Sequence, residues 1–405
     1  MNDDRILITG IGLVTALGAG RDTTWAGLCA GRSGTGPITK FDAAEFSTRF
    51  ANQVPADELD ALLHATGVNG SAPRDLCGRM LVVAVEDALH DAGLSPTDLG
   101  ARAGFVVGTD ASGTAFSHDA RLPYFVRAPL ENDASIWPSL ARYGPGPRLA
   151  VATACASGAH AVAVGYDLVR SGRLDMALVG GVEAAIVPWN LASFNAMLAL
   201  SLRNDDPTRA SRPFDRTRDG FVMGDGAGMM VIERAAAARR RGVACYAEIL
   251  GYGATSEASS MAVPLEGGRG MARTMEAALQ SARLDPSDVD YISAHGTSTP
   301  ANDVRETAAI KRVFGQHASR LGVSSQKSML GHTIGAAGAI EVAVTALTVR
   351  SGLLTPTINY EEPDPECDLF YVPNHAVERP VRHALSNSFA FGGHNCSVAL
   401  GRHAA

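Results

Sequence analysis

An apolar run at residues 149–154 leads, with no polar loop between, into Cys155 and then into an apolar segment of small residues at 159–169. The first run has the length of a buried strand, and the second has the length and composition of a helix. A strand that becomes a helix within a few residues confines the chain to layered α/β packing, because both elements need cover on more than one face. The junction also sets a thiol at the start of a helix, where N–H groups and the helix dipole favour negative charge. That position predicts a lowered thiol pKa and a nucleophilic thiolate. The competing reading is a small buried core cysteine.

The same grammar recurs along the chain. Strands are predicted at 5–9, 103–108, 176–179 and 229–233, and again at 245–250, 289–293, 321–324, 369–372 and 396–400. Helices are predicted at 81–92, 270–282 and 333–349, while 110–147 has poor periodicity and reads as an irregular excursion. Strand–helix alternation that occurs twice suggests two related α/β halves, 1–240 and 241–405, divided within residues 236–244. A length of 405 residues suits two fused units or one large domain. The 43 glycines imply close approach of backbones, as layered proteins need.

Composition excludes several function classes. A net charge of -7 argues against nucleic acid as a partner. No eighteen-residue stretch is uninterruptedly apolar, so no membrane span is expected. The cysteines Cys29, Cys77, Cys155, Cys245, Cys367 and Cys396 are scattered, with no metal-ligand spacing; this predicts reduced thiols and no metal. The opening Met1-Asn-Asp-Asp-Arg5 is acidic and unlike a signal peptide, so a cytoplasmic protein is expected. Gly10-Ile-Gly12 after the first strand invites a dinucleotide-loop reading, but Thr15 stands where the third glycine would. Gly224, Gly226 and Gly228 could cradle a phosphate or form a tight loop feeding a core strand.

Two further strand ends carry chemistry. His295 lies just beyond the strand at 289–293, and Lys327 and His332 lie beyond the strand at 321–324. Catalytic groups of open α/β sheets gather at such carboxyl ends. Either histidine alone reads as a hydrogen-bonded structural residue. With Cys155 they bring a thiol, two imidazoles and an ammonium to three strand ends.

These residues resemble the β-ketoacyl-(acyl carrier protein) synthases of the elongating type, from fatty acid and type II polyketide pathways. The matching motifs are Thr153-Ala-Cys155-Ala-Ser-Gly158, Arg212-Pro-Phe-Asp-Arg-Thr-Arg-Asp-Gly-Phe-Val-Met-Gly-Asp-Gly-Ala-Gly228, His295-Gly-Thr-Ser-Thr-Pro-Ala-Asn-Asp303, Lys327-Ser-Met-Leu-Gly-His332 and Asn387-Ser-Phe-Ala-Phe-Gly-Gly-His-Asn395. They span nearly the whole chain in the family's order. The resemblance implies a thiolase-like fold, a five-layer α-β-α-β-α sandwich of two similar halves, usually dimeric.

It also implies an acyltransferase that takes an acyl group from a carrier-protein phosphopantetheine thioester onto Cys155. Decarboxylation of malonyl carrier protein and a Claisen condensation follow. In that scheme His295 and His332 donate as neutral imidazoles to the malonyl thioester oxygen, each donor being worth about 3 kcal/mol. Backbone N–H groups of Cys155 and Phe391 form a second oxyanion hole, and Lys327 has a supporting role beside Glu341. Asp303 supports the site, Thr297 and Thr299 hold the pantetheine arm, and Phe391 with Phe389 forms a gate. No bound cofactor or metal is implied. The implied partners are acyl carrier protein and a second ketosynthase subunit, as homodimer or heterodimer.

Some segments depart from the family. Ala390 stands where glycine is frequent in the gating loop, which predicts a stiffer gate. Residues 118–147, which shape the acyl pocket and dimer interface in the family, look shortened and rewritten. Residues 55–79 lack a basic docking run, leaving Arg74 and Arg79, so Arg203, Arg212 and Arg216 become the candidates for carrier contact. The alternatives are a non-elongating acyl reaction such as cyclisation, or a chain-length-setting subunit of a heterodimer.

Overall fold

The computed structural model describes residues 4–67, 75–110, 140–260 and 262–403. Ten strands form one continuous path. They are β1 (Ile6–Thr15), β2 (Ala103–Gly108), β3 (Arg148–Val151), β4 (Met176–Ala184), β5 (Asp225–Arg234), β6 (Ala247–Ser256), β7 (Tyr291–Ser293), β8 (Gly322–Ser324), β9 (His383–Phe389) and β10 (His394–Gly401). The helices that cover them are α1 (Leu76–Asp91), α2 (Ser157–Arg170), α3 (Arg269–Ala282), α4 (Pro300–Phe314) and α5 (Ala337–Ser351).

The order across the sheet is β8-β7-β9-β10-β6-β1-β5-β4-β2-β3, and Gly18–Ala19 pairs with β1 as an eleventh strand. Numbered within each group of five, both groups run 3-2-4-5-1. The pairing senses match as well. β2 is parallel to β3 and β4, as β7 is to β8 and β9, and the remaining pairs are antiparallel. The groups meet where Ile6, Leu7 and Ile8 pair with Ile249, Glu248 and Ala247.

Helix α1 covers β1 and β5 from outside, and α3 covers β6 and β10 from the opposite outside, with α4 beside it. Helices α2 and α5 touch strands of both groups and each other, so they lie between them. The layers therefore read α, β, α, β, α. Composition explains the central pair: residues 337–349 of α5 are buried all round, as a helix packed between two groups of strands must be. Residues 334–351 are long and apolar enough to cross a membrane, yet 89% of that window is buried inside the protein.

Glycines set how closely the layers approach. A side-chain carbon at Gly10 or Gly12 would overlap the carbonyls of Ala88 and Ala84 in α1. The Gly-x-Gly of β1 is thus the seat of a helix, not a phosphate loop. Gly251 and Gly253 repeat the device in β6, where a side chain would strike Ser281 and Thr274 in α3. At the centre, a Cβ on Gly158 would lie 2.7 Å from Ala339 N, and one on Gly338 would lie 2.8 Å from Ala159 N. The two helices cross reciprocally on these glycines.

Two local expectations are revised. Gly226 and Gly228 are inside β5, which starts at Asp225, and a Cβ on Gly228 would lie 3.0 Å from Ile340 N; they admit α5 and hold no loop. Residues 369–372 form no strand: Phe370 O accepts from Val323 N, and Val372 has φ 48°. The fourth strand of the second group is instead β9, which carries Asn387 and Phe389. Most of 118–147, and Arg74, lie outside the described residues.

Candidate active site

Cys155 sits in the turn between β3 and α2, three residues before Gly158. Ala154 adopts φ 51°, a left-handed conformation that costs a non-glycine residue roughly 1 kcal/mol. The turn is held by Ser157, whose Oγ donates to Ala154 O at 2.6 Å and accepts from Thr153 N at 2.9 Å. This reversal aims the sulfur into a cavity lined also by His295, His332, Phe221, Phe389 and Phe391.

The two imidazoles arrive on loops fixed from behind. Backbone N–H groups of His295 and Gly296 donate to the Glu306 carboxylate at 2.9 and 2.8 Å. His332 N donates to Val222 O at 2.6 Å, and Gly224 N donates to His332 O at 2.9 Å. The rings meet edge to face, with centroids 5.4 Å apart and planes at 84°.

Hydrogen bonding decides their protonation. Lys327 Nζ lies 3.4 Å from His295 Nδ1 and is ion-paired with the Glu341 carboxylate. An ammonium only donates, so His295 Nδ1 accepts and the ring proton is on Nε2. Ile334 N–H donates to His332 Nδ1 at 3.2 Å, which places that proton on Nε2 as well. Burial, then the Lys327 charge, push the pKa of both rings well below the ordinary histidine range. Two neutral Nε2–H donors therefore stand on the wall that Cys155 shares.

The thiol departs from expectation. Burial pushes its pKa up to about 12; Asp110 adds to the rise, and Lys327 with the N–H groups of Phe391 and Cys155 opposes it. A helix N-terminus favours a thiolate, but a cysteine left 6% exposed loses more solvation than those groups return. At rest, burial favours the thiol over the thiolate. Burial likewise raises the Glu341 carboxyl to about 7 against the pull of Lys327.

The remaining candidates fall around this centre. Thr297 and Thr299 line the cavity and share a hydroxyl hydrogen bond of 2.8 Å. Asp303 does not reach the cavity. It is fully buried, accepts from Phe214 N at 2.8 Å, and lies 3.6 Å from the Arg218 guanidinium. Ala390 has φ -97°, extended backbone open to any residue, whereas Gly392 and Gly393 take φ 75° and 77°. The unusual backbone of this loop is at 392–393, not at the alanine.

Arg212 is corrected. It is 3% exposed and paired with Asp215 and Glu361, so it packs a loop and presents nothing to a docking partner. Arg203 donates to Thr217 O at 2.6 Å, while Arg216 stays outside, paired with Glu362 at 2.5 Å. Arg79 is ion-paired with Asp60.

Sequence reasoning gave no role to Glu306, the carboxylate that holds the His295 turn. Its signal was present: Asp303 and Glu306, one helical turn apart, both follow the histidine motif. Phe221 stacks edge-on to His332 at 5.3 Å, and nothing in its own motif distinguishes it from core. Among the described residues, no cluster of three or more His, Cys, Asp or Glu side chains could hold a metal ion.

Comparison with known proteins agrees over the whole chain. Residues 3–238 match the N-terminal domain of β-ketoacyl synthases, and 246–361 match their C-terminal domain. A 3-oxoacyl-[acyl-carrier-protein] synthase 2 from Synechocystis is 41% identical over 408 residues, covering 98% of this chain and 97% of the relative. The tetracenomycin polyketide synthase ketoacyl synthase alpha subunit of Streptomyces glaucescens is also 41% identical, over 99% of this chain and 97% of its own. Among solved structures, the ishigamide ketosynthase/chain length factor superposes with a TM-score of 0.85 at 36% identity, over 99% of both chains. A type II polyketide ketosynthase in complex with its acyl-carrier protein gives 0.87 at 32%, again over 99% of each. The strand order, the layers and these likenesses give one result: the chain belongs to the β-ketoacyl synthase family and is an acyltransferase-type condensing enzyme.

Proposed function

We propose that this enzyme condenses an acyl group held on Cys155 with malonyl carrier protein, in fatty acid or polyketide chain building. The observation that carries the reading is that His295 and His332, each with Nδ1 facing a donor, line the cavity of the thiol together. In the first step Cys155 Sγ attacks the acyl thioester. The bond from the acyl carbon to the pantetheine sulfur breaks, and the thiol proton leaves with that sulfur. A resting thiol suits this exchange, because one thiol is consumed and one released. N–H groups of Cys155 and Phe391 stabilise the tetrahedral oxyanion.

In the second step the malonyl carboxylate leaves as CO₂. The charge moves onto the thioester oxygen, where the two imidazoles donate to it. The enolate carbon bonds to the acyl carbon, the C–S bond to Cys155 breaks, and the sulfur regains a proton from solvent. Lys327, beside Glu341, keeps His295 in the donor tautomer. Thr297 and Thr299 hold the pantetheine arm, and Phe389 and Phe391 gate entry. No bound cofactor is needed, since the reacting groups arrive on phosphopantetheine.

The partners are an acyl carrier protein and a second ketosynthase subunit, either a copy or a related chain, and the setting is cytoplasmic. Residues 1–240 and 241–405 act as two halves that supply the thiol and the imidazoles respectively. Intact-protein mass spectrometry tests the reading. Incubation with acyl carrier proteins should give an adduct that Cys155→Ala abolishes, and malonyl carrier protein should discharge it with CO₂ release. His332→Ala should leave acylation within a few fold and slow CO₂ release by about 10²–10³. An adduct without CO₂ release would mark a cyclase instead, and no adduct a chain-length subunit.

A further inference from the structure

We propose that Asn52, far from every catalytic motif in the sequence, is a positioning residue for His332. The inference rests on the role given to His332 above. His332 follows a short helical turn, Lys327–Leu330, and its backbone lies beside the segment that leads into β5. Met223 and His332 form one bridge, and Asn52 and Gly224 form the next, so three strips of chain lie side by side.

Asn52 joins all of them. Its backbone N donates to Met223 O at 2.8 Å, and its carbonyl accepts from Asp225 N at 3.0 Å. Its side-chain Nδ2 donates to Met329 O at 2.8 Å, and its Oδ1 accepts from Thr35 Oγ1 at 2.9 Å. Gly34 N donates to the same Met329 carbonyl at 2.8 Å. Gly331, with φ 67°, turns the chain against this amide: a Cβ there would lie 2.7 Å from Asn52 Oδ1. The residue before His332 has thus been kept small so that Asn52 can reach the turn.

Asn52 is wholly buried, and none of its atoms enters the cavity. Its effect on chemistry is therefore indirect. It fixes both the turn that precedes His332 and the strip that holds His332 N and O, which sets where Nε2–H points. Cys155 and the Phe391 loop are held by other contacts, so the acyl-transfer step is independent of it. A donor misplaced by about 1 Å can cost up to roughly 10²-fold in rate.

The test uses the full-length enzyme and measures two rates. They are formation of the Cys155 adduct from acyl carrier protein and CO₂ release from malonyl carrier protein. Asn52→Ala is expected to slow CO₂ release by about tenfold or more while adduct formation stays within about twofold. Thr35→Val, which frees only the Oδ1 side of the amide, should give the same split at roughly threefold, and it decides the matter if Asn52→Ala does not fold. Thr9→Val removes a buried hydrogen bond to Glu233 away from the cavity, and at a similar loss of Tm it should leave the ratio of the two rates unchanged. Equal slowing of both steps in the Asn52 and Thr35 variants would overturn the proposal. So would an unchanged ratio while His332→Ala alone slows CO₂ release, in which case the reading of the site survives. If His332→Ala slows both steps alike, that reading fails and the proposal falls with it.

Discussion

The two groups of five strands share one plan, and the comparison is sharpest where their central helices begin. Gly158 and Gly338 occupy reciprocal places in the helix crossing. Four residues before each, Ala154 and Ile334 both take a left-handed backbone, with φ 51° and 44°. Ala156 N donates to Thr153 O, and Ala336 N donates to Thr333 O, so the turns match bond for bond. The position equivalent to Cys155 is then Gly335. A Cβ on Gly335 would lie 2.5 Å from Glu183 Oε2 and 2.7 Å from Asp110 N, and Gly335 N donates to that carboxylate at 3.1 Å. One turn presents a thiol to a cavity; the other has given up its side chain to let the layers close. The second group places its two cavity histidines elsewhere, on the loops that follow β7 and β8. In the proposed reaction, the repeated scaffold is divided into one part that holds the acyl group and one that stabilises the enolate.

The comparison yields expectations in order of size. The largest concerns the thiol. With a pKa of about 12, its thiolate fraction climbs tenfold per pH unit throughout the neutral and mildly alkaline range. Iodoacetamide alkylation of Cys155 in the free enzyme should therefore rise by about 10³ from pH 6 to pH 9 without a plateau. A plateau near neutrality would show that the helix terminus outweighs burial. Smaller effects belong to the packing glycines. Gly158→Ala and Gly338→Ala press a methyl against the facing helix, and each should lower stability by about 1–3 kcal/mol in denaturant unfolding. Gly335→Ala should cost a similar amount, although the reciprocal turn tolerates a cysteine. Loss at one crossing glycine but not its partner would break the symmetry inferred here.

Much of this was legible from local sequence. The strand-to-helix junction at Cys155 could be read because its small residues have no other use so close together. His295, Lys327 and His332 could be read because they follow short apolar runs. What stayed hidden depends on contacts between segments far apart. Gly10-x-Gly12 looks alike whether a phosphate or α1 lies against it, and only the position of Ala84 and Ala88 decides. The arginines at 203–218 gave no sign that Asp215, Glu361 and Asp364 would consume them. The direction of the Cys155 shift turned on the degree of burial, which no motif encodes. Asn52 lies in an unremarkable stretch, and its role exists only once three strips of chain are assembled.

The central claim is that the thiol and the enolate-stabilising donors are separable. It is tested most directly by the rate of CO₂ release from malonyl carrier protein by Cys155→Ala. The variant should form no acyl adduct and still release CO₂, and adding His295→Ala or His332→Ala should slow that release by about 10²–10³. CO₂ release that is lost with the thiol, or that continues undiminished without the imidazoles, would contradict the account.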